Sequence, residues 1–389
     1  MRIGYVHSTD FPTVDANVVQ VVQMCRAFAV HGHSVTLFIP RASAYPTDDV
    51  ARTAAREMFG GELPFEIRFV PRVRLLGRLE VLGTVAGALK AIRQADLDLV
   101  YSRNPWTVLF LPRTGVPYVF EAHEERIHLR SRFLDSFLRS TIVKNSRKPS
   151  CALVVAISKA LCGIWREFGV PEEKLLDAHD GVELELFHPS QSREDARRQL
   201  GIETTIPVVV YAGALKSDRG IDRMIRAAQE LPEIEFYLAG GKENEIAHWK
   251  TESARIGVTN IHFPGRMPHR EIPLWLAAAD VLLMMWTWRV PTIRGCSPMK
   301  LFEYMAAGRL IVGPAFPTVC EVMDHGKEGI LFEPDSQTGL IAALREAVTT
   351  LGDRTMPEAA RKKVAENYTW RARTERILDA LAERGIGKI

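Results

Sequence analysis

What most constrains this chain is a rhythm that runs twice: short apolar stretches of strand length alternate with longer stretches of helical periodicity. Residues 2–7 read as a buried strand and 15–31 as a helix with apolar side chains at helical spacing. Gly32 turns the chain into a second strand at 34–40, and the runs at 97–101, 118–121 and 152–157 read as further strands. After Pro189 the rhythm restarts with a helix at 193–200 and strands at 207–212, 234–239, 260–263, 281–285 and 310–313. Helices are expected at 219–230, 243–256, 271–278 and 338–349. Strands separated by helices form parallel sheets covered on both faces, so the expected class is α/β. At 389 residues the chain is too long for one ordinary core. Asp180-Gly181 and His188-Pro189 interrupt the pattern. The reading is therefore two Rossmann-like, doubly wound domains, 1–186 and 187–369. In open parallel sheets ligands bind beyond the carboxyl ends of the strands, so two such sheets facing each other would define one central cleft.

Composition narrows the class. A formal charge of +3 gives no global signal for nucleic acid, and 47% hydrophobic with 25% charged residues is ordinary for a soluble globule. The five cysteines are odd in number and scattered, without a Cys-x-x-Cys pair, which suggests reduced thiols rather than zinc or disulfides. The opening Met-Arg-Ile-Gly-Tyr-Val lacks the layout of a signal peptide. No apolar run approaches the ~20 residues of a membrane span. A cytoplasmic protein is expected.

The stretch from Arg294 to Gly308 reads as a helix built to hold an anion at its start. Ser297 is expected to be the N-cap and Pro298 the first helical residue. Lys300 falls in the first turn, and Gly308 can close the helix. The mouth formed by Ser297, Pro298 and Met299 would expose unpaired N–H groups and the positive end of the macrodipole, where a phosphate fits. Glu303 disfavours that phosphate but could accept hydrogen bonds from sugar hydroxyls of the same ligand. Together these residues suggest a nucleotide-diphosphate site. An ordinary capped helix with a solvated Lys and Glu accounts for the same residues.

The segment also resembles the retaining, family-four glycosyltransferases of GT-B fold, in the branch carrying Ser-Pro-x-Lys-x-x-Glu. Four further matches follow the family's order. Glu121-Ala-His123-Glu resembles the strand end with the active-site His. Asp180-Gly-Val-Glu183 with Phe187-His-Pro189 resembles an interdomain signature. Tyr211-Ala-Gly213 through Arg219-Gly220-Ile-Asp resembles the segment that meets the donor diphosphate. Tyr368-Thr-Trp370 resembles the closing motif, after which the helix at 370–389 is expected to cross back to the first domain.

The resemblance implies sugar transfer from a nucleotide-diphosphate sugar to a hydroxyl acceptor, which could be a glycan, a lipid-linked sugar or a small molecule. Arg219 stands at the family's Lys position, and a guanidinium grips phosphate bidentately. Gly213 would let backbone approach the diphosphate. Lys216 and Lys300 are further cations, and Arg266 lies in a loop (265–268) suited to the base. Ala214 stands where many members have Arg. In the Glu-x7-Glu motif Glu303 matches the second Glu, but Gly295 replaces the first, which leaves the sugar open. Glu321 matches another family Glu. His123, flanked by Glu121, Glu124 and Glu125, is expected against the donor sugar. Asp10, Asn17 and Glu121 are expected on the acceptor side. Front-face attack and double displacement both stay open. No cluster has metal-ligand spacing, so neither a metal nor another cofactor is expected.

Two other readings share the architecture: a nucleotide-sugar 2-epimerase, and a two-lobed binding protein without catalysis. A dinucleotide dehydrogenase does not fit, because the first strand-to-helix turn lacks Gly-x-Gly-x-x-Gly. Finally, residues 126–148 carry seven Lys/Arg against one Asp, with Phe133, Leu134, Phe137, Leu138, Thr141 and Ile142 at helical spacing. Such a helix either packs its apolar face on the sheet or lies on an anionic membrane.

Overall fold

The computed structural model describes residues 1–71, 80–127, 131–187 and 191–387. Residues 128–130 of the basic segment, His188-Pro189 of the interdomain signature and residues 388–389 lie outside them. The chain forms two compact units: Met1–Asp180 with Trp370–Ile389, and Gly181–Thr369. The division comes a few residues before 186/187. The Val182 N–H donates to Tyr368 O at 2.9 Å, and Phe187 is buried in the second unit's core, so 181–187 belongs there.

The first unit holds one parallel sheet of seven strands: β1 (Arg2–Val6), β2 (Ser34–Pro40), β3 (Glu66–Val70), β4 (Leu99–Ser102), β5 (Tyr118–Ala122), β6 (Cys151–Ala156) and β7 (Leu175–Asp177). Their order is β3-β2-β1-β4-β5-β6-β7. The second unit repeats the plan with β8 (Val208–Ala212), β9 (Glu235–Ala239), β10 (Ile261–Gly265), β11 (Val281–Leu283), β12 (Leu310–Pro314) and β13 (Ile330–Phe332). Their order is β10-β9-β8-β11-β12-β13, again all parallel. In each sheet the direction of winding reverses next to the first strand, between β1 and β4 and between β8 and β11. That reversal opens a crevice at the carboxyl ends.

The residues explain the strands. β6 and β8 are buried at every position, as a strand covered by helices on both faces requires. β3, β7 and β13 escape the periodicity reading for separate reasons. β3 is an edge strand that exposes Glu66 and Arg68, whereas β7 and β13 have only three residues each. The helix Ala16–Val30 buries Val18, Val21, Val22, Cys25 and Phe28, and the closing helix Trp370–Glu383, with Ile377 and Leu381 buried, packs beside it where Arg373 Nη1 meets Met24 Sδ at 2.8 Å. Among the described residues no helix is long and apolar enough to cross a membrane.

Candidate active site

In the second unit the polar groups gather at the carboxyl end of β8. Tyr211, the next-to-last residue of that strand, is fully buried, and its hydroxyl donates to Ala214 O at 2.8 Å. The helix Met299–Ala307 is locked to the same strand end, because the Ala212 N–H donates to the Tyr304 hydroxyl at 2.9 Å. From its first turn Lys300 reaches back over Tyr211. Its Nζ lies 4.3 Å from the ring centroid and donates to the hydroxyl at 3.3 Å. Gly213 suits that place because its φ of 153° is one that side-chain-bearing residues rarely adopt, and a Cβ there would also displace the flexible end of Lys300. Burial first, and then the charge of Arg219, pull the Lys300 ammonium down to about 7, against the opposing attraction of Glu303.

Arg219 ends the turn Ser217–Arg219, and Gly220 then starts the helix Ile221–Glu230 in the left-handed conformation, φ 69°. A side chain on Gly220 would press Met285 Cε at 2.8 Å. Arg219 lies 3.5 Å from Asp218. The turn is held from outside: Thr287 Oγ1 donates to Asp218 O at 2.8 Å and Arg289 Nη2 to Ser217 O at 2.7 Å.

The start of the phosphate helix differs from the sequence expectation. Pro298 is the cap residue and Met299 the first helical one, with no side-chain cap bond. Pro298 takes ψ 67°, outside the helical range, which moves the start one residue on and removes Ser297 from the N-cap. Gly308 does close the helix in the left-handed form, φ 62°. Glu303, one turn beyond Lys300, accepts from His269 Nε2 at 3.0 Å. That bond, with burial opposing it, raises the imidazole's pKa. His269 follows the 265–268 loop directly. No periodicity signalled it, since it sits in a short turn. Glu321 follows the short helix Pro317–Cys320, and its carbonyl accepts from the Tyr368 hydroxyl at 3.5 Å. Tyr368 itself stacks on Phe302 at 4.9 Å. Ala214, Lys216 and Arg266 are exposed.

The first unit has its own cluster at the ends of β1, β4 and β5. Glu121 is fully buried, which corrects its expected place on the acceptor side: a carboxylate out of reach of solvent cannot meet an acceptor directly. One oxygen accepts from Gln20 Nε2 at 2.7 Å and from His123 Nε2 at 2.5 Å. The other accepts from the Tyr101 hydroxyl and from Arg373 Nη1, the latter at 3.1 Å. Burial opposes ionisation, but Arg373, His123 and Arg103 outweigh it and hold the carboxyl well below its usual range. His123 is pushed down by burial and by Arg103, against the pull of Glu121. A neutral ring beside a carboxylate must carry its proton on Nε2, which leaves Nδ1 as the acceptor.

Asn17 Nδ2 donates to Thr9 Oγ1 at 3.0 Å, and Asp10 is half-buried nearby in sequence. Arg103 Nη1 donates to Gln20 Oε1 at 2.7 Å and to Asn17 O at 3.4 Å. His7, just past β1, is buried with no hydrogen-bond partner on either ring nitrogen, and burial lowers its pKa to about 3. Gln20, Arg103 and Arg373 escaped the sequence reading, though a charged residue on the inward face of the last helix was a usable signal for Arg373.

Comparison with known proteins agrees with the fold of two Rossmann-like units. Residues 18–186 match the family described as Glycosyltransferase Family 4, and 206–350 match Glycosyl transferases group 1. The chain is 24% identical to D-inositol 3-phosphate glycosyltransferase 1 of Catenulispora acidiphila, over 92% of this chain and 88% of that one. It is 32% identical to the alpha-galactosylglucosyldiacylglycerol synthase of Streptococcus pneumoniae over 35% of this chain and 36% of that protein. Among solved structures, Anabaena HepE in complex with UDP and glucose superposes with a TM-score of 0.73 at 18% identity, covering 98% and 99% of the two chains. Sucrose-phosphate synthase from Thermosynechococcus elongatus superposes with 0.77 at 16% identity over 100% of both. With each half matched in chain order and the whole superposing on such enzymes, this chain belongs to the family-4-type glycosyltransferases of GT-B fold.

Proposed function

We propose that this glycosyltransferase is a retaining hexosyltransferase that takes its donor, a nucleotide-diphosphate sugar, on the second unit. The observation that carries the reading is Lys300, held over Tyr211 and Gly213 and depressed to about 7. A half-buried cation whose neighbours are an aromatic ring and a hydroxyl gains most when an anion arrives. Lys300 and Arg219 stabilise the charge that develops on the leaving diphosphate, so the reaction needs no metal. The Met299 and Gly213 N–H groups are already donated, to Ser297 O at 3.0 Å and Ala239 O at 2.8 Å, so the phosphates meet the backbone at Ala214 and at Lys300 instead, with Lys216 at the rim. Glu303 holds sugar hydroxyls, Glu321 lies on the donor side and Arg266 near the base. HepE was solved with UDP and with UDP-glucose, which makes uracil the first base to test.

On the first unit, Glu121 and Arg373 orient His123, whose Nδ1 serves the acceptor hydroxyl with Asn17 and Asp10. The names of the relatives span an inositol 3-phosphate and a galactosylglucosyldiacylglycerol. The acceptor is therefore a hydroxyl of either kind, and the enzyme works in the cytoplasm, where a lipid-linked acceptor would bring 126–148 to the membrane face.

A thermal-shift screen across UDP, GDP, ADP and their sugars tests the donor reading. A diphosphate ligand raises the unfolding midpoint of the parent protein, and Arg219→Ala and Lys300→Met each lose most of that rise. If no nucleoside diphosphate shifts the midpoint, the donor assignment fails. Incubation of donor alone separates transfer from 2-epimerisation, since only an epimerase returns an altered nucleotide sugar.

A further inference from the structure

We propose that the outward face of the helix Arg132–Ser146 docks on an anionic phospholipid membrane. Phe133 and Phe137 enter the interfacial layer, and the hollow beside Arg139, Lys144 and Arg147 receives a lipid phosphate. This deepens the peripheral-membrane part of the proposed function and is independent of the donor chemistry.

Burial divides the helix sharply. Leu138 and Ile142 face inward at 0% and 1% exposure, so the packing expected of an amphipathic helix is present. Phe133 and Phe137, from the same apolar set, are left outside at 84% and 54%. A single exposed apolar side chain needs no explanation, but two phenylalanines one turn apart on one face do. At 100° per residue, Phe133, Phe137, Ser140, Lys144 and Arg147 fall within about 40° of one line along a run of roughly 21 Å. The aromatic end and the basic end thus belong to one face.

Charge identifies the occupant. A cavity of about 290 Å³ is lined by Arg139, Ser140, Val143, Lys144, Arg147 and Phe168, with no carboxylate among them. Arg139 is steadied over the Phe168 ring at 4.4 Å, and Arg147 Nη2 donates to Gly169 O at 3.1 Å. The helix's one carboxylate, Asp135, is buried, accepts from the Ile127 N–H at 2.6 Å and lies 3.4 Å from Arg139. It cannot neutralise the outer face, where Lys144 and Arg147 are exposed and Lys148 follows. Protruding rings beside a cationic hollow fit a fluid, negatively charged surface, which accepts apolar side chains without a preformed groove. A folded acidic partner would have to supply pockets for both rings.

Flotation of the full chain with vesicles tests this. Phosphatidylcholine vesicles alone should leave the protein behind, whereas phosphatidylcholine mixed with phosphatidylglycerol should carry it up, less so as salt rises. The pairs Phe133→Ser/Phe137→Ser and Lys144→Glu/Arg147→Glu should each cut the bound fraction by about tenfold or more. Both pairs should keep the parent unfolding midpoint and the parent shift with UDP, so a failure here is distinct from a failure of the donor site. Free glycerol phosphate, matched to the lipid phosphate concentration, should leave binding intact. No flotation with phosphatidylglycerol at low salt, equal flotation with the neutral vesicles, or full displacement by glycerol phosphate overturns the proposal. Parent-like flotation of both variant pairs does so as well.

Discussion

The two units set their polar residues at the same place in the same winding, yet they treat charge in opposite ways. In the first, the ion is satisfied within the protein: Glu121 receives Gln20, His123, Tyr101 and Arg373, and all of it is closed to solvent except the imidazole edge. In the second, Lys300 is half-buried with an aromatic ring and a hydroxyl for company, and the charges acting on it are Arg219, which repels it, and Glu303, which is itself bonded to His269. A completed network orients a side chain. An incomplete one stores affinity for a ligand. The shared topology supplies the location, and the residues decide which of the two it becomes.

The largest effect should come from breaking the completed network. Arg373→Met leaves a buried carboxylate facing an apolar side chain, a loss of about 3–5 kcal/mol. Urea unfolding measures it, and adding Glu121→Gln to the same chain should recover much of the loss by removing the orphaned charge. The matching change in the second unit should do the reverse: Lys300→Met removes a charge whose burial is unfavourable, and stability stays level or rises. If both variants lose stability alike, the contrast between the units is wrong.

Next in size is the response of Lys300 to its ligand. Losing a charged donor from a diphosphate site costs about 1.5–3 kcal/mol, so Lys300→Met should weaken UDP binding roughly tenfold to a hundredfold. The pH dependence carries a definite sign. Free protein holds the ammonium near 7, and a bound diphosphate stabilises its charged form, so binding takes up a proton above that pH. UDP affinity should therefore fall as pH rises through 7 to 9, by at most about tenfold per unit, and calorimetry in buffers of different ionisation enthalpy should register the uptake. Without ligand the second unit should gain stability over the interval from about 7 to 10.5, where the unfolded chain keeps a proton that the native Lys300 has released. In Lys300→Met both trends should flatten.

The same contrast explains what could be read from the chain itself. Most strands of both sheets showed as apolar runs because parallel strands are buried on both faces, whereas β7 and β13 were too short to show and β3 failed because its edge position let Glu66 and Arg68 into the pattern. Gly213, Lys300, Glu303 and His123 could be nominated as candidates from the chain because each lies in a short contiguous motif. Glu121's partners were not. Gln20, Tyr101 and Arg373 come from three separated elements, and only folding brings them to one carboxylate. Ser297 misled for a local reason. It has the right side chain for a cap, but Pro298 starts the turn with a dihedral that postpones the helix.

The smallest expected effect concerns His269, which neither motif nor periodicity marked. Its Nε2 holds one oxygen of Glu303 at 3.0 Å and its ring edge meets Phe187 at 5.4 Å, so it fixes the direction of a carboxylate that the proposed reading assigns to sugar hydroxyls. A residue acting through another should change binding and spare the chemical step. His269→Ala should therefore raise the donor KM by roughly twofold to tenfold, the value of one hydrogen bond, and leave kcat intact. His269→Gln keeps an N–H donor and should restore most of the loss. The raised pKa of His269 adds a pH signature: the charged form that grips Glu303 is complete below the ordinary imidazole value of 6.5 and is lost as pH climbs through the raised one. The parent KM should therefore drift upward over that interval, and the Gln variant, which cannot titrate, should not follow it. A fall in kcat at unchanged KM would place the pair in the transition state instead, and would make the second unit's carboxylate a participant in the transfer step.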